Sequence, residues 1–269
     1  MANESERERW NDERRYTVWP KRERLTDTVT PLLMEALSPA VGERVLDVGC
    51  GGGRSALAAA RTVGSGGSVV GLDLSEGLLR LAEDRRADSD VENVTFVLGD
   101  AQVERLPGPP FDAATSQFGV MFFDDPVGAF ANIRGHLRGG GRLVFACWQP
   151  LEANPWFFYE AVKPFVPPPP PRDPGAVAPG PFAFGDAAYV TSVLEDAGFV
   201  DVVRAPHELS PEVPVDTVLD ELQLTAMGVP EDELDEAMEA AGEYMARFAV
   251  DSGLWRFPIA FQIFSATTS

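Results

Sequence analysis

Histidine, lysine and cysteine are nearly missing from this chain of 269 residues: it has two histidines, two cysteines and, in Lys21 and Lys163, two lysines. Two cysteines, Cys50 and Cys147, cannot build a disulfide framework, and alone they make no zinc site. Long apolar runs are missing too. The longest uncharged stretches, such as Leu143–Trp148, fall far short of a membrane span, so no membrane insertion is expected. No apolar segment follows a basic start at the amino terminus, so no secretory signal is read and a cytoplasmic location is expected. Positive charge is scarce: 22 Lys and Arg against 42 Asp and Glu leave a net charge of −20. Such a surface repels phosphate backbones and disfavours nucleic acid as the main partner. With 45% hydrophobic and 24% charged residues, the chain has the composition of a folded protein.

From Pro31 the pattern is regular. Pro31–Leu37 reads as a helix ending before Ser38-Pro39, and Arg44–Val48 as a buried strand running into glycines. A helix over Arg54–Val63 follows, then a strand over Ser68–Asp73 and a helix that Ser75 can cap. Val94–Leu98 and Phe111–Ser116 are the third and fourth strands. Pro126–Leu137 is a helix and Arg142–Trp148 the fifth strand. This alternation predicts an α/β fold, an open parallel sheet with helices on both faces. Beyond it the order breaks. Residues 150–185 hold an aromatic cluster and the run Pro167–Pro171, which can only be an extended connector. A helix over Asp186–Ala197, a strand over Val200–Leu209, an acidic helical stretch over 213–250 and a last strand over Leu254–Ala266 complete the chain. The expected organisation is one domain over 1–269, with an amino-terminal cap (1–30), a cofactor-binding core (31–149) and inserted lids at 150–185 and 213–251.

Val45-Leu46-Asp47-Val48-Gly49-Cys50-Gly51-Gly52-Gly53 is the most informative stretch. A strand entering glycines and then a helix lets a ligand approach the backbone with no Cβ in the way. The dinucleotide fingerprint wants a third glycine at position 54, where this chain has Arg54, and Asp47 is no part of that fingerprint. Asp73 ends the second strand and can accept both ribose hydroxyls of an adenosine, which fits NAD equally well. The third strand breaks the tie. It ends Gly99-Asp100-Ala101-Gln102, where a carboxylate can accept from an adenine amino group and Ala101 leaves room for the ring.

With these residues the chain resembles the class I S-adenosylmethionine-dependent methyltransferases. The match is carried by Val45–Gly53, Gly71–Ser75, Gly99–Ala101, Phe111-Asp112 and Leu137–Leu143. It looks most like the small-molecule branch of ubiquinone, menaquinone and natural-product tailoring enzymes. The resemblance implies a Rossmann-like, mostly parallel sheet of seven strands in the order 3-2-1-4-5-7-6, strand seven antiparallel. It implies S-adenosylmethionine as cofactor, S-adenosylhomocysteine as product and a small-molecule acceptor, in a monomer or homodimer. Gly49 and Gly51, behind Asp47, would hold the methionine part. Asp73 with Leu74 would hold the ribose, and Asp100 with Ala101 and Gln102 the adenine. Gln117 and Phe118 would face the sulfonium. An NAD-linked oxidoreductase and a non-catalytic cofactor-binding relic are the alternatives.

Methyl transfer chiefly needs alignment, but a hydroxyl or carbon acid also needs a base. No catalytic residue is assigned. His207, near the carboxyl end of strand six, is the one candidate base, several strand spacings from strand four. His136 reads as a favourable helix-end charge. Cys147 reads as a core thiol, with the lining of an acceptor pocket as the alternative. Trp148, Trp156, Phe157, Phe158, Phe182 and Phe184 offer walls for a flat or cationic acceptor. The acids from Asp216 to Glu243 have only Arg247 among them and read as a solvated face, or as steering for a cationic amine. Finally, Trp10, Tyr16 and Trp19 precede the first core helix, so their segment is expected to close over the cofactor, with Trp19 or Tyr16 touching it.

Overall fold

The computed structural model describes residues 3–168, 177–250 and 253–269. Two short helices, α1 (Glu4–Trp10) and α2 (Glu13–Arg22), lead into α3 (Val29–Leu37). Then come β1 (Arg44–Val48), α4 (Arg54–Val63), β2 (Ser68–Asp73), α5 (Glu76–Ala87), β3 (Val94–Leu98) and β4 (Phe111–Gln117). Next are α6 (Pro126–His136), β5 (Leu137–Trp148), α7 (Tyr159–Val162), α8 (Ala187–Asp196) and β6 (Phe199–Leu209). The chain ends with β7 (Glu212–Val213), α9 (Glu221–Ala226), α10 (Leu234–Met245), β8 (Trp255–Arg256) and β9 (Ile259–Thr268).

Seven strands form one sheet in the order β3-β2-β1-β4-β5-β9-β6, and β7-β8 form a two-stranded sheet of their own. The pairs β1–β2, β2–β3, β1–β4 and β4–β5 are parallel, while β9 runs antiparallel to both β5 and β6. With β9 as the seventh strand, this is the expected order. The parallel strands are apolar because they are covered on both sides. Val45, Leu46 and Val48 of β1 are buried, and β5 buries every residue from Leu143 to Trp148. Phe130, Phe145, Phe184 and Phe264 stack through the core, with Phe145–Phe264 centroids 5.6 Å apart. Each such ring contributes roughly 1.5–3 kcal/mol on burial.

The last strand departs from expectation. Trp255–Arg256 leaves the main sheet to pair with Glu212–Val213. Phe257 and Pro258 separate it from β9, and proline, having no N–H to donate, cannot continue a ladder. The acidic stretch is likewise two helices, broken at Gly228-Val229-Pro230. Of the proline run, Pro167 and Pro168 carry no regular structure, and the rest lies outside the described residues.

Candidate active site

At its carboxyl end β1 enters the glycine loop, which β2 fastens. Gly49 and Cys50 donate their N–H groups to Leu72 O, at 2.8 and 3.2 Å. Gly51 donates to Asp73 Oδ2 and Ser75 N–H to Asp73 Oδ1, both at 2.8 Å. One carboxylate therefore sets the loop and the entry to α5, and keeps lone pairs free. Burial raises its pKa, against the backbone N–H groups of Ser75, Gly51 and Leu74, which lower it. At Gly49, φ is 65° and a Cβ would lie 2.9 Å from Gly119 Cα, so any side chain would separate the two loops. At Gly51 the space is ordinary, but φ of 53° selects glycine.

A cavity of about 270 Å³ opens above this loop. Trp19, Gly49, Gly51, Asp73, Leu74, Asp100, Ala101, Gln117 and Phe118 line it together. Asp47 and Gln102 do not. Gln102 stands behind Asp100: its N–H donates to Asp100 Oδ1 at 3.0 Å, and its Oε1 accepts from Asp125 N at 2.9 Å. Asp47 is wholly buried under the loop, where its Oδ2 accepts from Ser55 Oγ at 2.7 Å and its Oδ1 has no partner. Both hold the site from outside.

Burial pushes the Asp47 carboxyl from 3.8 up to about 7; Ser55 opposes the shift and Asp73 adds to it. The folded chain thus holds this proton more tightly than the unfolded chain. Stability should fall as pH rises from about 4 to about 7 and stay low above that, by a few kcal/mol at most. Asp47→Asn should therefore melt at a higher temperature than wild type at pH 8 and near the same temperature at pH 4. Equal melting at both pH values would place the ionisation elsewhere.

Gln117 lines the cavity but its amide is engaged: Oε1 accepts from Thr30 Oγ1 at 2.9 Å, and Nε2 donates to Thr26 O at 3.3 Å. Phe118 has φ of 63°, a strained angle for a bulky residue, costing of order 1–3 kcal/mol. Its ring stacks on Trp148 at 4.2 Å, and Trp148 meets Trp156 at 5.0 Å. Trp148, Trp156 and Phe157 line the cavity, as do Phe122 and Phe123 from the loop after β4. Phe158 and Phe184 belong to the core instead, and Phe182 packs on Phe157 with centroids 5.0 Å apart.

The amino-terminal segment is helical and docked. Ser75 Oγ donates to Trp10 O at 2.7 Å, and Asn11 Nδ2 donates to Leu74 O at 3.0 Å. Trp10 and Trp19 meet edge to face at 5.6 Å, and both line the cavity. Tyr16 instead covers Gly77, where a Cβ would collide with its ring. Arg15, Trp19 and Arg22 recur at i, i+4 and i+7, hence on one face of α2, and all three line the cavity. That spacing was readable in the sequence.

The acidic segment is not left to Arg247 alone. Asp216 pairs with Lys21 and Asp220 with Arg22, each at 2.7 Å, while Arg247 lies over the Tyr244 ring at 3.7 Å. Thr217, Val218 and Gln223 of this segment reach the cavity. His207 does not; it stacks on Phe261 at 5.1 Å. His136 corrects the helix-end charge read from the sequence. Its Nε2 accepts from Leu106 N at 3.0 Å, so in this arrangement the ring is neutral and Nδ1 donates to Asn132 O. Cys147 is a buried core thiol near Phe184 O, and burial raises its pKa.

This loop, these two strand-end acids and this strand order define a methyltransferase fold. Residues 45–141 match the family model described as a methyltransferase domain. Aklanonic acid methyltransferase DauC of Streptomyces sp. (strain C5) is 35% identical over 136 residues, 51% of this chain and 58% of that protein. Nocamycin O-methyltransferase of Saccharothrix syringae is 32% identical over 186 residues, 65% of each chain. The chain thus spans less than two thirds of the length of either relative. Among solved structures, a SAM-dependent methyltransferase from Aquifex aeolicus shares the fold with a TM-score of 0.54, covering 98% of both chains at 17% identity.

Proposed function

We propose that the chain is an S-adenosylmethionine-dependent methyltransferase acting on a small molecule. The observation that carries this reading is the meeting, in one cavity, of the glycine loop, Asp73 at the end of β2 and Asp100 with Ala101 after β3. The residues fit the cofactor. Asp73 keeps lone pairs for ribose hydroxyls, and Trp19 Nε1 is a buried donor in the cavity wall with no acceptor. When bound, S-adenosylmethionine supplies a methyl group already activated on a sulfonium. The chain's own task is then to align the acceptor and keep water out, for which Phe118, Trp148 and Trp156 supply walls. The relatives named for aklanonic acid and nocamycin support a small-molecule acceptor. On this reading the described residues of 150–185 and 213–250 serve as lids, contributing Trp156 and Phe157 from one and Thr217 and Gln223 from the other. The cytoplasm is the proposed compartment: both cysteines are free, and no described helix is long and apolar enough to cross a membrane.

NAD would need a glycine where Arg54 stands, and Arg54 is committed to Glu23 at 3.1 Å and Asp27 at 2.8 Å. Calorimetric titration with S-adenosylhomocysteine and with NAD tests the reading. Binding of the sulfur nucleoside alone is expected; binding of NAD alone would end the proposal.

A further inference from the structure

Three buried donors meet in the cavity wall with nothing to donate to. Trp19 Nε1, Arg22 Nε and Thr217 Oγ1 have no hydrogen-bond partner among the described residues, and all three residues line the cavity. Burying an unpaired donor costs free energy, so three in one wall mark a place where an acceptor arrives. Two of them come from α2 and the third from the inserted acidic segment. Ion pairs bring these elements together: Lys21 with Asp216 and Arg22 with Asp220, each at 2.7 Å, on either side of Thr217, which is 1% exposed. The terminal nitrogens of Arg22 are taken by Asp220 and Gln223, which leaves its Nε–H. The acids beside these donors are matched as well, Asp220 by Arg22 and Glu23 by Arg54 and Arg85.

The path of α2 fixes which end of the cavity they occupy. Tyr16 covers Gly77 at the start of α5, which follows β2. Trp19 Nε1 would lie 3.6 Å from a Cβ on Gly51, after β1. Beyond the end of α2, Thr26 O accepts from Gln117 Nε2 at the end of β4. The helix therefore crosses the sheet edge in the order β2, β1, β4, and Arg22 lies one turn past Trp19 on the β4 side. On the proposed function the adenosine sits on the other side, against Asp73, Asp100 and Ala101. The amino-acid tail of the ligand then runs over Gly51 towards β4.

Resting on that reading, we infer that Trp19, Arg22 and Thr217 bind the tail's carboxylate where the amino-terminal roof meets the inserted segment. Two N–H groups and one hydroxyl donate to its two oxygens, which offer about four lone-pair sites. Hydrogen bonds to an ionised acceptor are the strong ones, and the charge of Arg22 favours the carboxylate over the tail's ammonium. The same anion joins α2 to the 213–250 segment, so a ligand without it leaves the roof less firmly held.

The test compares S-adenosylhomocysteine with its decarboxylated form, 5′-deoxy-5′-(3-aminopropylthio)adenosine, which keeps the adenosine, the sulfur and the amine. Calorimetry should find S-adenosylhomocysteine bound at least roughly tenfold more tightly by wild-type protein. Thr217→Val removes one donor at nearly constant shape, and Trp19→Phe removes another while keeping a ring. Each should narrow that ratio by weakening S-adenosylhomocysteine alone, and the double variant should narrow it further. Because the Thr217 hydroxyl has no protein partner, ligand-free Thr217→Val should melt no lower than wild type. Equal binding of the two ligands by wild-type protein overturns the inference. So does undiminished S-adenosylhomocysteine affinity in the double variant, or a loss that falls equally on both ligands, which would make the side chains structural. Failure of wild-type protein to bind either ligand would instead sink the proposed function itself.

Discussion

Asp73→Ala should weaken S-adenosylhomocysteine binding by at least about a hundredfold while the chain still folds. The carboxylate does two jobs at once. It accepts from Gly51 N–H and Ser75 N–H, each at 2.8 Å, and so shapes the loop on which the ligand rests. On the proposed reading its spare lone pairs take the ribose hydroxyls. Hydrogen bonds to a charged group contribute roughly 1.5–3 kcal/mol each, so losing two ligand bonds alone exceeds the roughly 2.7 kcal/mol that a hundredfold requires. The fold survives because α5 keeps its own cap, in which Ser75 Oγ accepts from Leu78 N at 3.2 Å. Asp73→Asn, which keeps an acceptor oxygen, should fall between the two. Calorimetry with a melting curve of each variant checks this; undiminished affinity in a folded Asp73→Ala protein would place the ribose elsewhere.

The sequence was most legible where the chain speaks locally. β1, β2, β3 and α4 begin and end at the residues expected, because each apolar run is bounded by glycine, serine or a carboxylate. Asp73 and Asp100 were legible as strand-end acids for the same reason. What was not legible depends on partners distant in sequence. Lys21 and Arg22 find Asp216 and Asp220 almost two hundred residues away, so neither the roof nor the purpose of the acids could be read from spacing. Asp47 and Gln102 sit at the positions where the motif puts them, yet both face away from the cavity, and a motif does not encode which way a side chain turns. For His136 the helix position suggests a charge, while the decisive contact, Leu106 N–H, comes from a loop thirty residues earlier.

Removing residues 1–22 should lower S-adenosylhomocysteine affinity by about a hundredfold and speed its release. Besides the hydrogen bonds of Trp10 O and Asn11 to the start of α5, ion pairs and aromatic packing hold this segment over the site, and their magnitudes differ. The Lys21–Asp216 pair is largely exposed and contributes at most about 1 kcal/mol, and Arg22–Asp220 is only partly shielded. Trp10 and Trp19 are another matter. Both line the cavity and pack on each other, and Trp10 also packs on Phe122 at 5.3 Å. Covering a ligand with two such rings contributes roughly 1.5–3 kcal/mol per ring, so aromatic burial outweighs the ion pairs. Two consequences separate the contributions. High salt, which screens the exposed pairs, should weaken binding only slightly in the full chain. Trp10→Ala combined with Trp19→Ala should reproduce most of the loss seen on truncation. Amide hydrogen exchange over residues 8–25 should slow when S-adenosylhomocysteine is added, since the ligand fills the space under the roof and resists its opening. Full affinity after truncation, with exchange indifferent to ligand, would reduce the two helices to a docked tail.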